Sequence, residues 1–491
     1  MQIRWVTAAL VPVLATGLVA QTPVNEDVAR RQLESGRSFA RQGNYAEALK
    51  DFRSVADTHA ATSVADDALL EIARYYLDVA DDQKETAAAV DRILTKYATS
   101  DSAAEAFVIA GRLALRKGHT PADITAALAM FDRVERLFPR ADAVAGSLSM
   151  TGEAQWYAKR YDVAIANFGR VTAEYPSSVA AADAYVGLGR TLVALGQAPL
   201  AMEELQQARN RWPASKAAAT ALQYNTLLHR LYVRAKGGAP FALTTETAGP
   251  PKLQNVSALV VRGGTVYWSA ETGVGGAAAN SGVKLPQATK PRGLIVDVTG
   301  DLVAIEDLAL RPGNSPSLSF AVPGSGAPKA FEKIEAAVQL SNGDWVVADG
   351  DWRTPFRFKG AASAGAFGTG KLTRLAVNAV DEVAGIDRDQ KSIVVFDATG
   401  KPLAKLPFKG TGYDVPNPED VAFDAFGHLY VLDRTGIAVF TPYPATYTLL
   451  TFYAAPQNDA TAFKRASAFA LDASGGVYLY DERAQRIMVY R

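Results

Sequence analysis

The sequence contains no cysteine and only four histidines among 491 residues. The absence of cysteine excludes disulfides, a thiolate nucleophile, a cysteine-ligated metal and a lipidated cysteine. The histidines are His59, His119, His229 and His428. Because they lie far apart in the chain, a site built from several histidines is not expected. The 51 basic and 51 acidic residues balance, which disfavours a broad surface for nucleic acid or anionic lipid.

Long hydrophobic runs are also scarce. The run in residues 1–20, "MQIRWVTAALVPVLATGLVA", has one base, an apolar core and small residues up to Ala20. This layout predicts a cleaved signal peptide; the alternative is an uncleaved N-terminal anchor. No later segment is apolar enough to span a bilayer. We therefore expect an exported protein of the bacterial periplasm or envelope, or a secreted one, that does not span the membrane once processed.

The segment 25–236 has a helical pattern that repeats. "GNYAEALKDF", starting at Gly43, recurs as "KRYDVAIANF", starting at Lys159, and in three weaker copies. The shared small residues are Ala48, Ala89, Ala127, Ala164 and Ala201, at separations of 37 to 41 residues. Such a period predicts stacked helix–turn–helix units in which alanine permits close approach of two helices. The aromatic residue four positions later is expected to pack into the next helix.

These residues resemble the tetratricopeptide repeats of bacterial envelope proteins. The resemblance covers about 210 residues and implies a concave surface that binds peptides or partner proteins. The alternative is a helical stack that only spaces or dimerises the chain. The aromatic residues of the motif are expected to be core rather than binding surface.

Residues 237–254, rich in glycine, threonine and proline, are predicted to be a linker. Beyond it, 255–491 shows strands with period two. Turn residues recur at Gly264, Gly300, Gly343, Asp381, Gly427 and Gly475, at separations of 36 to 48 residues. Six copies predict six propeller blades. The chain ends on "RIMVYR", which leaves no fourth strand for the last blade, so a strand near "PFALTTE" is expected to close the ring.

"PEDVAFDAFGHLYVLDRTGIAVF" resembles the NHL-repeat family of β-propellers. The predicted fold is therefore multidomain α + β, an N-terminal helical superhelix followed by an all-β propeller with six blades. The resemblance implies a toroid whose loops and channel bind proteins, nucleic acids or small ligands, without implying one chemistry.

An acid follows the turn residue by six positions in five copies: Glu306, Asp349, Asp387, Asp433 and Asp481. Because they recur in each blade, we interpret these acids as structural, bonding turn amides. Asp424 has counterparts in Asp297 and Asp472 and is interpreted likewise. His428 is peculiar to its blade; it stands at a turn position that is usually solvated.

A candidate partner surface is "DWRTPFRF", which offers Trp352, Arg353, Phe356 and Arg357. Aromatic and arginine side chains suit an interface; the alternative is that "FRF" is simply the third strand of its blade. No catalytic constellation, metal site or cofactor site is predicted. The sequence thus favours a non-enzymatic scaffold that binds proteins or peptides in cell-envelope assembly or maintenance. The alternatives are a calcium-dependent lactonase or esterase, or a sensor of glycans or peptides.

Overall fold

The computed structural model describes residues 22–237, 240–250, 252–277, 283–322, 329–442, 447–455 and 462–491. The expected signal peptide, 1–20, lies outside them. The described residues include eleven α-helices, none long and apolar enough to cross a membrane. They are α1 (Thr22–Arg41), α2 (Tyr45–Thr58), α3 (Ala65–Asp78), α4 (Gln83–Lys96), α5 (Asp101–Lys117), α6 (Pro121–Leu137), α7 (Ala143–Tyr157), α8 (Tyr161–Glu174), α9 (Val179–Ala194), α10 (Ala198–Arg211) and α11 (Lys216–Leu228).

The repeat motif packs as its residue types require. The five motif alanines are at most 5% exposed. In two repeats, a glycine of the first helix lies under a buried phenylalanine of the second. A Cβ added to Gly36 would lie 2.6 Å from the Phe52 ring, and one added to Gly152 would lie 2.7 Å from the Phe168 ring. The absence of a side chain at these glycines therefore lets the paired helices approach.

The chain forms two compact units. One comprises Met1–Leu113 and Arg133–Ala143; the other comprises Ala114–Asp132 and Val144–Arg491. The second unit holds the helices α7 to α11 as well as the described strands of the propeller. One hydrophobic core within it joins Leu192 and Leu228 of the helices to Phe426 and Leu479 of the blades. This shared core explains why the division runs through the helical repeats.

The propeller is built from antiparallel sheets. Its strands are β1 (Leu243–Ala248), β2 (Val256–Arg262), β3 (Thr265–Ala270), β4 (Gly273–Gly276), β5 (Gly293–Val296), β6 (Leu302–Ile305), β7 (Leu310–Pro312), β8 (Ala321–Val322), β9 (Lys329–Ala330), β10 (Ile334–Gln339), β11 (Trp345–Asp349), β12 (Phe356–Lys359), β13 (Ala362–Ala366), β14 (Leu372–Val377), β15 (Val383–Asp387), β16 (Ser392–Phe396), β17 (Pro402–Pro407), β18 (Lys409–Gly410), β19 (Tyr413–Asp414), β20 (Pro418–Phe423), β21 (Leu429–Asp433), β22 (Gly436–Thr441), β23 (Thr448–Ala454), β24 (Ala466–Leu471), β25 (Val477–Asp481) and β26 (Arg486–Tyr490).

Six sheets of the described chain form the predicted six blades. They are β2–β4, β5–β7, β10–β13, β14–β17, β20–β23, and β24–β26 with β1. The turns between the first and second strands carry the predicted residues. Gly300, Gly343 and Gly427 have φ between 81° and 85°, and Asp381 has φ 60°. Glycine adopts this left-handed conformation without the steric penalty of a side chain.

Strand β1 completes the last blade. It pairs antiparallel with the C-terminal strand β26, with Leu243 opposite Tyr490. The backbones of Ala242 and Arg491 exchange two hydrogen bonds of 3.0 and 2.9 Å. The strand expected near "PFALTTE" is therefore present, and part of the predicted linker 237–254 belongs to the propeller.

Later helices of the second unit dock on the turns of four successive blades. The backbone N–H of His119 donates to Ser341 Oγ at 2.8 Å, and the Lys159 ammonium lies 2.5 Å from Glu382 Oε1. The Arg230 guanidinium donates to the Ser474 carbonyl at 2.9 Å. We call these contacts, together with that of His428 described below, the docking junction.

Candidate functional site

The recurring acids hold turns in the predicted way. Oδ2 of Asp349, Asp433 and Asp481 accepts a backbone N–H from one or two residues before its own blade's first strand, at 2.9, 2.7 and 2.6 Å. Oδ1 of Asp387 accepts from the N–H of Gln390 at 3.0 Å. The side chains of these four acids are buried and bonded to backbone, so their structural interpretation is confirmed. The fifth acid, Glu306, is not fully buried and accepts the backbone N–H of Thr289 at 2.9 Å.

His428 is not solvated, and the expectation from its turn position was wrong. Its side chain is fully buried. Nδ1 lies 2.8 Å from Asp424 Oδ2, and Nε2 lies 2.8 Å from the hydroxyl of Tyr232, just beyond α11. A carboxylate only accepts, so the ring proton is assigned to Nδ1, and Nε2 accepts from the tyrosine. The histidine thus fastens a helix to a blade.

The four residues of the predicted partner surface are distributed over different environments. Phe356 is buried in β12, the third strand of its blade, and Trp352 packs edge-on against it at 5.3 Å. Arg357 donates to Asp344 at 2.8 Å. Only Arg353 is largely exposed, at 83% of its side chain. The structure places Trp352 next to Phe356 but gathers no common exposed patch from the four.

The axial channel of the propeller is a cavity of about 340 Å³. The first strands of all six blades line it, with mostly aliphatic side chains along the wall. Its charged lining residues are Arg292, Glu335, Arg374 and Asp420. Sequence reasoning did not single them out. Five of the six lining strands, all except β5, show a register shift just after their first residue. Such bulges re-aim side chains at sheet rims.

Each charged group of the channel has a protein partner. Glu335 pairs with Lys333 at 2.6 Å and lies 4.0 Å from Arg292. The Arg374 Nε donates to the Glu419 carbonyl at 3.2 Å. Asp420 accepts from the backbone N–H groups of Val421 and Phe469. Three carboxylate or amide side chains are among the described lining residues, Glu335, Gln339 and Asp420. The Gln339 amide is also bonded to protein, since it accepts from the Val298 N–H and donates to the Gly343 carbonyl, both at 2.9 Å.

Burial raises the pKa of Asp420 from 3.8 to about 6, although the charge of Arg374 and the two backbone hydrogen bonds lower it. As pH rises from 4 to 6, the unfolded chain loses this proton before the folded protein does, so stability falls; above 6 the penalty is constant. We expect Asp420→Asn to raise the free energy of unfolding at pH 7.5 by about 1–2 kcal/mol, below the full shift because the side chain is partly exposed.

The measurement is urea unfolding of wild type and Asp420→Asn at pH 7.5 and pH 4. At pH 4 most of the difference should be lost, because Asp420 is then protonated in the folded protein and close to half protonated in the unfolded chain. Asp142→Asn, at an exposed position of the helical half, is the control and should change little at either pH. Equal destabilisation by Asp420→Asn at both pH values would contradict the assignment.

A second cavity, of about 410 Å³, lies on the first repeat. We call it the first-repeat pocket: residues of α1, α2 and α3 with Val79, which follows α3, line it. The rings of Tyr45 and Tyr75 lie 5.1 Å apart and form its aromatic wall. Leu49 and Phe52 supply apolar surface. Apolar walls with a few charged groups are what binding pockets typically present.

The charges of the first-repeat pocket leave one cation free. Arg37 and Arg74 both contact Glu71 Oε1, at 2.9 and 3.4 Å, and Asp78 is paired with Arg112 at 2.7 Å. The exposed Arg41 makes no ion pair or hydrogen bond within the described ranges. The pocket can therefore offer a guanidinium to an acidic ligand.

One group of three carboxylates comes together in the described chain. Oxygens of Asp66, Asp67 and Asp101 lie within 4.8 Å of one another, at the starts of α3 and α5. Burial raises the pKa of Asp67, and the Ser102 hydroxyl opposes this shift. The group belongs to the first compact unit and contributes nothing to the propeller channel.

A family model for the tetratricopeptide repeat matches residues 147–178. These residues cover most of α7, all of α8 and the turn before α9. This pair of helices matches the tetratricopeptide repeat, and the described helices before and after it follow one another with similar lengths. No curated protein matches the chain.

Solved structures are similar to either half. A gluconolactonase from Xanthomonas campestris matches 51% of this chain and 94% of its own, at 15% identity and a TM-score of 0.37. A tetratricopeptide-repeat protein from Thermus thermophilus matches 40% of this chain and 98% of its own, at 14% identity and a TM-score of 0.33. A streptogramin B lyase matches 51% of this chain and 97% of its own, at 12% identity and a TM-score of 0.34. None of these likenesses transfers an activity to the tetratricopeptide repeats or the propeller.

Proposed function

We propose that the protein is an exported, non-enzymatic scaffold of the bacterial envelope that binds partner proteins or peptides. The first-repeat pocket carries the proposal. It combines an aromatic wall, apolar surface and the unpaired Arg41 in one cavity of about 410 Å³. Aromatic and arginine side chains dominate the energetics of protein interfaces.

The propeller supports the same function. Its channel is lined mainly by apolar residues, and its charged groups are bonded to each other or to the backbone. Hydrolysis assisted by a metal ion needs ligands that converge on an open coordination position. The two channel carboxylates, Glu335 and Asp420, have protein partners instead, which favours binding over a lactonase reaction. The docking junction supplies a rigid base for the later repeats.

The test is photo-cross-linking of the full chain in cells. A photoreactive amino acid at Tyr45, inside the first-repeat pocket, is expected to give discrete adducts with another protein in the envelope fraction. The matched control is Lys50 on the same helix, which is exposed and does not line the pocket; it should give none of these adducts. Absence of adducts at Tyr45, together with calcium-dependent esterase activity of the pure protein, would overturn the proposal.

A further inference from the structure

The first-repeat pocket has an internal counterpart, and a turn of the same chain lines one side of it. Moving the first repeat by 116 residues (164 − 48) superposes its motif on that of the fourth repeat. Tyr45 then corresponds to Tyr161, and Ala40 to Trp156. Tyr161 and Trp156 line a cavity of about 370 Å³ in the second unit. The last residue of the following first helix lines each cavity, Asp78 in one and Ala194 in the other.

A tight turn of the propeller forms the other side of this counterpart cavity. Ala425, Phe426 and Gly427 of the turn between β20 and β21 line it. Phe426 is only 5% exposed, and its ring lies 4.9 Å from that of Tyr224 on α11. The turn therefore presents an aromatic side chain that packs on α11 and lines the same cavity as Trp156 and Tyr161.

A carboxylate accompanies the aromatic side chain. Glu382, from the turn of the preceding blade, pairs with Lys159 of the repeat at 2.5 Å and accepts from the Tyr447 hydroxyl at 2.5 Å. The recognised surface thus consists of one buried aromatic ring from one turn and one acid from the neighbouring turn, and the acid meets a basic side chain of the repeat.

The first-repeat pocket offers the same chemistry without an internal occupant among its lining residues, which all belong to the helical half. The small Ala40 in place of Trp156 leaves room for a ring, and Tyr45 and Tyr75 provide an aromatic wall. The counterpart of Lys159 is Gly43, and the basic side chain comes instead from Arg41, two positions earlier. Resting on the proposed function, we infer that this pocket binds a tight turn of a partner protein that presents an aromatic side chain with a carboxylate beside it.

The probe is a fluorescent cyclic peptide with the sequence of residues 424–429, Asp-Ala-Phe-Gly-His-Leu, measured by anisotropy with the full chain. We expect saturable binding that Arg41→Glu weakens about tenfold, the size of effect typical of an interface hot spot. Arg31→Glu, a charge reversal of an exposed arginine on the same helix, is the control and should leave the affinity unchanged. Replacing phenylalanine by alanine in the peptide should also weaken binding about tenfold.

Two results would overturn the inference: no saturable binding up to about millimolar peptide, or equal affinity for wild type and Arg41→Glu. A dimer in sedimentation that Arg41→Glu abolishes would also overturn it, because the occupant would be a second copy of the chain. Arg41 is exposed, so its replacement should not prevent folding. If the peptide fails while the Tyr45 adducts persist, the scaffold function stands and only the turn chemistry is wrong.

Discussion

Replacing His428 with alanine is expected to lower the free energy of unfolding by about 3–5 kcal/mol. The side chains of His428 and Asp424 are 0% and 1% exposed, so the substitution leaves the buried Asp424 carboxylate and the half-buried Tyr232 without this partner. Loss of the imidazole ring also opens a cavity beside Phe426 and Tyr232, which pack against that ring, and near Tyr224, which packs against Phe426. The measurement is equilibrium unfolding of the full chain in urea.

The control is His229→Ala, because His229 is exposed on the helical side and its loss should stay within about 0.5 kcal/mol. Tyr232→Phe removes only the hydroxyl that donates to His428. In a double-mutant cycle, the two substitutions should couple by about 1 kcal/mol if this hydrogen bond holds helix and blade together. Additive losses would show that His428 acts within its blade alone.

The helical repeats and the six blades could be predicted because their information is local. Ala48 and Phe52 lie one helical turn apart, and their copies recur along the chain. Likewise, a strand, a left-handed turn residue such as Gly427 and a second strand are contiguous in each blade. Repeated local patterns also reveal structural acids, since one residue in each blade, such as Asp433, is not expected to serve a single site.

The docking junction could not be predicted in this way. Tyr232 and His428 are separated by 196 positions, and the presence of one in the sequence does not predict a contact with the other. His428 was expected to be solvated because the same turn position in other blades holds Asp301, Asp344 or Gly476. The turns of Asp344 and Gly476 also meet the helical side, but among the described residues only at His428 does the helical side place a hydroxyl, that of Tyr232, against the side chain at this position. Contacts between repeat arrays depend on where the arrays meet, which no periodicity encodes.

The candidate binding sites were harder to predict from the sequence than the docking junction. The predicted surface of Trp352, Arg353, Phe356 and Arg357 rested on residue type, and the alternation of its strand separates buried Phe356 from the salt-bridged Arg357. It remains a prediction for the accessible Arg353. The first-repeat pocket had a signal that was not used: Tyr45 of "GNYAEALKDF" recurs as Tyr161 of "KRYDVAIANF". Both line cavities, so this motif position marks a surface as well as a core.

The pairing of β1 with β26 closes the propeller ring, and we expect its disruption to have the second large effect on the free energy of unfolding. The N–H of Ala242 donates to the Arg491 carbonyl at 3.0 Å, and proline there would remove this donor and place its ring carbon against that carbonyl. Ala242→Pro should lower the free energy of unfolding by about 2–3 kcal/mol. The matched control is Ala242→Val, which keeps the N–H at an exposed position and has a side chain favourable in strands. Thermal unfolding of the two variants measures the difference.

The comparison isolates closure because both variants change the same side chain and only one changes the backbone. Without β1, strand β26 would present an unpaired edge, and the last blade would have three strands. Open edges promote association between chains. Ala242→Pro should therefore also aggregate faster on heating than Ala242→Val. Equal stability and equal aggregation would mean that the pairing of β1 with β26 contributes little, and that the docking junction holds the ring instead.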